Sequence, residues 1–282
     1  MVYLDYNATT PLDARVRLRM EEVPELLGNP GSIQHRDGVT AETHLEVSRA
    51  QIAQLLGFTP QEVIFTSGAS ESAAIALYGF ALNPANKSSV ITRRILTTRL
   101  EHKAVLETLE NISHLTDIVI EFVPVTKSGL IDLEAFKATV SQDVLLGCFM
   151  SVNNETGVEQ DLVEIADLLH EYGALLVSDF TQAIGKTSLE GLSHVDAAFF
   201  SGHKIYGPAG TGALVVRRMA QKRMFRILHG GGQERGLRGG TPNVRGAVGL
   251  CEAIKIALTE HPVNDLRFRE LRDYFIQELQ TE

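Results

Sequence analysis

The surroundings of Lys204 in the sequence suggest that this residue does covalent chemistry. It ends the run SGHK, directly after the apolar run AAFF. An amine aimed into a crevice between small residues and a histidine can form a Schiff base with a carbonyl compound. A solvated lysine on a surface loop is the other interpretation, and this run alone leaves both open.

A carboxylate closes another apolar run. Asp179 follows LLVS, and since an unpaired buried charge is costly, we expect it to have a partner. It could ligate a metal, cap a helix or pair with a cationic ring nitrogen. Pyridoxal phosphate needs an aspartate that pairs with its ring nitrogen, because this pairing lets the ring act as an electron sink.

The run TSGASES, from Thr66 to Ser72, suggests a phosphate site. A predicted strand turns through glycine into a predicted helix, whose start offers free N–H groups and the positive end of the helix dipole. Ser70 adds a hydroxyl group. An ordinary serine cap explains the same residues, and the run matches neither the dinucleotide-binding nor the Walker pattern.

Two further polar runs follow predicted strands. His102 comes after ILTT and is either a capping or surface residue, or a group that stacks on a cofactor ring or moves protons. Asn153 and Asn154 follow an apolar run in SVNNETG, and they form either a turn or an amide contact to a ring substituent.

The glycine-rich run HGGGQERGLRGGTPNVRG, residues 229–246, contains too many other polar residues for a plain linker. Close approach of its backbone to a ligand or to a second subunit would explain the glycines.

These groups need a common scaffold, and the hydrophobic pattern predicts one. Predicted strands cover 62–66, 95–98, 118–123, 144–152, 174–178, 197–200 and 212–216, and predicted helices cover 41–56, 70–82, 102–111, 133–140, 162–172 and 265–280. This alternation indicates an α/β sheet covered on both faces. Such sheets bind ligands beyond the carboxyl ends of their strands, so we expect the polar groups to meet there.

Composition limits the class of protein. The 282 residues suffice for one large or two modest domains, with 44% hydrophobic and 22% charged residues. A net charge of −9 argues against a nonspecific nucleic-acid coat. Two cysteines exclude a disulfide framework and a cysteine-rich metal site, and we expect no metal. The start does not resemble a signal peptide, and the longest apolar stretch is too short for a membrane span, so we expect a soluble cytoplasmic protein.

Taken together, the polar runs resemble the cysteine desulfurases of the class V aminotransferase family. They occur in the family's order from Val2 to about Asn243: YLDYNATTPLD, GNPGSIQHRDG, VIFTSGASES, EHKAVLE, NNETG, SDFTQAIGK, SGHKIYGPAGTGAL and GGGQERGLRGGTPN. The resemblance implies a fold type I pyridoxal-phosphate-dependent transferase, with a mostly parallel seven-stranded sheet and helices on both faces.

The resemblance also implies a role for individual residues. Lys204 would hold pyridoxal 5'-phosphate as a Schiff base and, with His102, would be catalytic. His102 would stack on the ring, Asp179 would pair with its nitrogen, and Gln182 and Asn154 would lie near its phenolic oxygen. The phosphate would be bound by Ala69, Ser70, Ser201 and His203.

Thr241 would reach the phosphate of the neighbouring subunit, which implies a homodimer with shared sites. Family members often have threonine at the position of Ser70, and serine or alanine at Gly239 or Gly240. The first difference keeps the hydroxyl group, and the second would loosen the loop.

The implied domains are an N-terminal arm over 1–14, a large cofactor-binding domain over 15–255, and a helix over 256–282 that leads to a missing small domain. The apolar stripe of that helix, at Phe268, Leu271, Phe275 and Leu279, has nothing after it to pack against.

The implied activity removes sulfur from L-cysteine and leaves L-alanine and a persulfide, for iron–sulfur clusters or thiolated molecules, with an acceptor or scaffold protein as partner. The family's nucleophilic cysteine and its substrate-binding arginine lie beyond the last helix here, and neither Cys148 nor Cys251 matches that cysteine. The alternatives are a cofactor-binding but catalytically incomplete protein, a subunit of a split enzyme, or another class V enzyme such as a selenocysteine lyase or an aminotransferase. The run GGGQERGLRGGTPN favours the desulfurases.

Overall fold

The computed structural model describes residues 2–24, 28–86 and 93–281. The strands are β1 Val63–Thr66, β2 Arg94–Thr97, β3 Val119–Phe122, β4 Val144–Cys148, β5 Leu175–Asp179, β6 Ala197–Ser201 and β7 Gly212–Val216. The helices are α1 Ala14–Glu21, α2 Arg36–Leu56, α3 Ala69–Ala81, α4 Lys103–Leu115, α5 Leu133–Thr139, α6 Leu162–Glu171, α7 Arg218–Gln221 and α8 Val244–Thr281.

The strands form one seven-stranded sheet in the order β1-β7-β6-β5-β4-β2-β3. Only β7 runs against its neighbours, because it pairs antiparallel with both β1 and β6 while the other pairs are parallel. The carboxyl ends of the other six strands therefore lie at one edge of the sheet. The predicted mostly parallel sheet is confirmed.

Apolar residues fill both faces of the sheet. One cluster joins α3 and α4 to residues such as Ile64, Ile95 and Leu146, and the other joins α2, α5, α6 and α8 to Val63 and Leu96. The strands β4 to β7 are buried at every position, which explains their continuous apolar runs. The edge strand β3 is only partly covered. Helices on both faces follow from this pattern, as predicted.

Several elements begin or end at other residues than predicted: α2 begins at Arg36 instead of Ala41, and α4 ends at Leu115 instead of Asn111. The predicted strand 144–152 ends at Cys148, because the N–H of Met150 donates to the Glu101 carboxylate (3.1 Å) instead of continuing the pairing with β2. The helix α1 was not predicted, because Val16, Leu18 and Met20 alternate in steps of two as in a strand, and Val16 is its one buried residue.

The long helix α8 runs from the glycine-rich run through the predicted boundary at 255/256, with Pro262 inside it. Its final part carries exposed apolar side chains, including Phe268, Leu271, Phe275 and Leu279, as the predicted stripe implied. The division into arm, large domain and final helix stays a prediction. In the described ranges, no helix has the length and apolar character needed to cross a bilayer.

Candidate active site

A cavity of about 520 Å³ opens at the carboxyl ends of the strands. That volume is typical of small-molecule and cofactor sites. Nine of the ten predicted site residues line it: Ala69, Ser70, His102, Asn154, Asp179, Gln182, Ser201, His203 and Lys204. The expectation that polar groups at the strand ends meet is confirmed. Which of them bind a cofactor stays a prediction.

Lys204 enters the cavity from the short helical turn Gly202–Lys204, directly after β6. Its Nζ donates a hydrogen bond to the backbone oxygen of Asn7 (2.8 Å). Burial lowers the pKa of the Lys204 amine below its usual range, although Asp179 and two other carboxylates act in the opposite direction. A lowered pKa leaves a larger fraction of the amine unprotonated, which is the form that attacks a carbonyl group.

Asp179 ends β5 and is only 9% exposed. Its Oδ1 accepts from the N–H of Thr181 (2.8 Å) in a turn, so the side chain does not cap a helix. Burial raises the pKa of Asp179, and the positive charge of Lys204 opposes that rise. No group of three or more metal-ligating side chains forms anywhere in the part of the chain that the structure describes. The arrangement favours a cationic partner inside the cavity.

The start of α3 closes one end of the cavity. Gly68 has φ +155° and the N–H of Ala69 donates to Oγ of Ser201 (2.7 Å). A Cβ on Gly212 would lie 2.6 Å from the Cα of Gly68, so glycine is required where β7 begins beside β1. This close approach places the N-terminus of α3 beside Ser201, where the positive helix end suits an anion.

His102 caps a helix, as one of its two interpretations predicted, and it also lines the cavity. Its Nδ1 accepts from the N–H of Ala104 (3.1 Å) and caps α4, while the ring lines the cavity. With Nδ1 as acceptor, the proton of the neutral imidazole lies on Nε2. The cap therefore fixes the tautomer that presents a donor.

The two asparagines of the run NNETG have different surroundings. Asn153 forms the turn, since its Oδ1 accepts from the N–H groups of Glu155 (3.0 Å) and Thr156 (2.8 Å). Asn154 lines the cavity, and its carbonyl oxygen accepts from Nδ2 of Asn7 (2.5 Å).

Asn7 is a site residue that the sequence reasoning missed. Its backbone oxygen accepts from Nζ of Lys204 and from Nε2 of Gln182 (3.3 Å), so the N-terminal arm forms part of the cavity wall. The only available signal was its position in the run YLDYNATT, which lies 197 positions before Lys204.

The cavity fits pyridoxal phosphate by its donor set. It combines an amine, a buried carboxylate, an amide, an imidazole and a helix N-terminus. Oγ1 of Thr181, in the cavity wall, is buried without a hydrogen-bond partner among the described residues. A buried unpaired hydroxyl indicates a missing polar partner.

Glu101 is a second residue that the sequence reasoning left without a role. Its Oε1 accepts from Met150 N–H and from Oγ1 of Thr98 (3.2 Å), and its Oε2 is buried with no partner among the described residues. Burial raises the pKa of Glu101 to about 8, and the nearby charge of Asp179 acts in the same direction. We therefore expect Glu101 to carry a proton in the folded protein at neutral pH.

We expect Glu101→Gln to remove a pH dependence of stability. Between about pH 4.5 and about 8 the folded state binds a proton on Glu101 that the unfolded chain has released, so the free energy of unfolding falls as pH rises. Glutamine is neutral throughout, and its variant should lack this fall. Urea unfolding of cofactor-free protein across this range measures it, with the exposed Glu110→Gln as control. Parallel pH profiles for wild type and Glu101→Gln would contradict the expectation.

The glycines of the glycine-rich run allow two parts of its own backbone to pack closely. A Cβ on Gly239 would lie 2.5 Å from the backbone oxygen of His229, so serine or alanine there requires a backbone shift. Thr241 does not line the main cavity of its own chain. It borders a separate cavity of about 70 Å³ with Ser67 and Arg238. Its predicted contact with a neighbouring subunit stays a prediction.

A buried ion pair fixes this run to the sheet. Both carboxylate oxygens of Glu234 accept from the guanidinium of Arg49 (2.6 and 2.8 Å), and one also accepts from the N–H of Phe65 in β1 (3.0 Å). The side chains of Arg49 and Glu234 are 3% and 1% exposed. Glu234 and Arg235 adopt positive φ angles, which are strained for residues other than glycine. This backbone conformation places the carboxylate of Glu234 in the protein interior.

Comparison with known proteins agrees with this geometry. The family model described as aminotransferase class-V matches residues 2–281. Cysteine desulfurase IscS of Edwardsiella ictaluri is 43% identical over 277 residues, which are 96% of this chain and 67% of the relative. The same-named protein of Methylococcus capsulatus is 42% identical over 275 residues.

Solved structures are similar over most of the chain. A NifS-like protein superposes with a TM-score of 0.92 at 38% identity, covering 99% of this chain and 76% of that one. The structure described as SspA in complex with cysteine gives a TM-score of 0.83 at 32% identity, covering 90% and 72%. An apo cysteine desulfurase from Thermococcus onnurineus NA1 gives 0.89 at 25% identity, covering 99% and 73%.

Proposed function

This chain belongs to the class V aminotransferase family, and from that premise we propose that it is a pyridoxal-phosphate-dependent cysteine desulfurase acting on L-cysteine. The main support for this proposal is that Lys204, Asp179 and the N-terminus of α3 lie together in one cavity. The chain spans about two thirds of the length of the curated relatives it matches. The activity of the whole protein is therefore a proposal. We also propose a homodimer, a sulfur acceptor or scaffold protein as partner, and a cytoplasmic location.

The proposed roles are those that the family resemblance implies, and the lining of the cavity supports them. Lys204 would hold the cofactor through Nζ, Asp179 would pair with the ring nitrogen, and His102 would cover the ring. Ala69, Ser70, Ser201 and His203 would hold the phosphate, with Gln182 and Asn154 near the phenolic oxygen. When bound, the cofactor supplies an electron sink for the substrate carbon.

The chain's own groups would move the protons. When not bound to the cofactor, Nζ of Lys204 would be a free base that could take the proton from the substrate α-carbon. Its lowered pKa, caused by burial, favours that base form. The N–H on Nε2 of His102 is a donor on the wall of the same cavity.

The sulfur-accepting thiol is the part of the reaction that these residues do not supply. Persulfide formation needs a thiolate that reaches the substrate sulfur. Cys148 is buried in β4, and burial raises the pKa of its thiol well above the ordinary value. Cys251 is buried in α8, where burial raises its pKa to about 11, and its Sγ contacts Oε1 of Gln51 (3.2 Å). Neither cysteine lines the main cavity.

We expect both cysteines to be unreactive in the folded protein. Because the thiols are buried and protonated at neutral pH, an aromatic disulfide reagent should titrate none of them before unfolding and two after it. L-cysteine should accordingly leave no persulfide on either thiol. Alanine formation by this chain without any added thiol, lost on Cys251→Ser, would make Cys251 the nucleophile and refute this expectation.

An assay with added dithiothreitol tests the proposed function. L-cysteine and one thiol would give L-alanine and a persulfide, and a second thiol would release sulfide and leave a disulfide. We expect alanine and sulfide in equal amounts, and a large loss with the isosteric Asp179→Asn, since a neutral amide cannot stabilise a protonated ring nitrogen equally well. Faster turnover of L-selenocysteine alone would favour a lyase. Cofactor binding without alanine formation, even with a separate C-terminal polypeptide, would favour a binding protein.

A further inference from the structure

Lys186 is a partly buried cation that the site described above leaves without a role. It lies in the turns after β5 and borders an apolar groove of about 640 Å³ beside Ile184, Ile205 and Ala257. This groove adjoins the main cavity, because Lys204 and Asn7 line both. Lys186 itself does not line the main cavity, so it does not touch the space proposed for the cofactor.

The ammonium of Lys186 contacts one polar group in the described part of the chain. Its Nζ donates to Oε1 of Gln182 (2.5 Å). Burial lowers the pKa of Lys186 to about 8, with a further contribution from the charge of Lys204. In its charged form, the amine of Lys186 offers hydrogen-bond donors to the Gln182 amide.

This contact favours one orientation of the Gln182 amide. An ammonium has three donors and no acceptor, so the atom facing it must be the amide oxygen. The amide nitrogen then lies on the other side, where Nε2 donates to the backbone oxygen of Asn7 (3.3 Å), the same oxygen that accepts from Lys204. Gln182 thus presents a donor rather than an acceptor beside Lys204.

We infer that Lys186 is a positioning residue that holds the Gln182 amide with its N–H donor toward the cofactor cavity. This inference rests on the proposed function, which places the phenolic oxygen of pyridoxal phosphate near Gln182. That oxygen is an acceptor, and a flipped amide would present its own oxygen and repel it. Without Lys186, Oε1 loses its hydrogen-bond donor among the described residues, and only the longer contact of Nε2 with the Asn7 oxygen (3.3 Å) still favours this orientation of the amide.

A double-mutant cycle tests the inference with pyridoxal phosphate as the probe. Lys186→Met removes the donors at similar length, and Gln182→Leu removes the amide. Each variant should weaken binding of pyridoxal phosphate about tenfold, the expected effect of losing one hydrogen bond to a charged oxygen. Each should also shift the absorption maximum of the bound cofactor in the same direction. The double variant should bind no more weakly than either single variant, because both changes remove one interaction.

Two controls complete the experiment. Lys186→Arg keeps a donor-only group and should hold the wild-type spectrum. Lys103→Met removes an exposed cation next to His102 and should change neither affinity nor spectrum. Absence of any shift in Lys186→Met, or losses that multiply in the double variant, would overturn the inference, since multiplied losses mean that the charge of Lys186 acts on Lys204 independently of Gln182. If wild-type protein forms no borohydride-reducible adduct at Lys204, the proposed function fails instead.

Discussion

Lys204→Ala is expected to abolish covalent capture of pyridoxal phosphate and to slow exchange of the substrate α-proton by about a thousandfold. The reason is that one atom, Nζ of Lys204, would both hold the cofactor and move the proton. The amine lies in the wall of the cavity, with its hydrogen bond to Asn7 and a pKa lowered by burial. Borohydride reduction followed by peptide mapping measures the first effect, and proton exchange in deuterium oxide measures the second.

A neighbouring lysine provides the matched control for this experiment. Lys186 lies beside the same site and also has a pKa lowered by burial, yet it does not line the main cavity. In Lys186→Met the reduced adduct should still map to Lys204. An adduct on Lys186 in wild-type protein, or an unchanged exchange rate in Lys204→Ala, would disprove the assignment of Lys204.

The arrangement of the sheet could be predicted because burial on both faces leaves a simple pattern. The strands β4 to β7 are buried at every position, and their polar residues, Ser178, Asp179 and Ser201, lie in the last two positions of a strand. In a parallel sheet those ends share one edge, so strand position alone placed Asp179, Lys204 and His102 in one cavity.

Contacts between residues far apart in the sequence could not be predicted in the same way. Asn7 reaches Lys204 across 197 positions, and Glu234 reaches Arg49 across 185. No periodic pattern connects such pairs. Charged residues such as Arg49 and Lys186 are also typical of solvated surfaces, so their burial has no signal in a single sequence.

Glu234→Leu is expected to lower the free energy of unfolding by about 3 kcal/mol, because it removes the buried carboxylate from Arg49 and leaves that guanidinium only the half-exposed carboxylate of Glu46 (2.9 Å). The bidentate contact and the bond to Phe65 N–H are lost together. Arg49→Met should cost a similar amount, since it strands the carboxylate instead. Urea unfolding monitored by circular dichroism measures both values.

The double variant distinguishes two free energies: the net contribution of the ion pair to stability, and the loss of stability when only one partner is removed. With Arg49→Met and Glu234→Leu combined, no buried charge remains unpaired, and apolar replacement of a whole buried pair is often close to neutral. We therefore expect the double variant to be more stable than either single variant. The exposed pair of Lys103 and Glu107 is the control, and Glu107→Gln should change stability by less than about 1 kcal/mol. If the two single losses simply add, the ion pair is not what anchors Glu234, and the positive φ at that residue is held by the packing of the glycine-rich run alone.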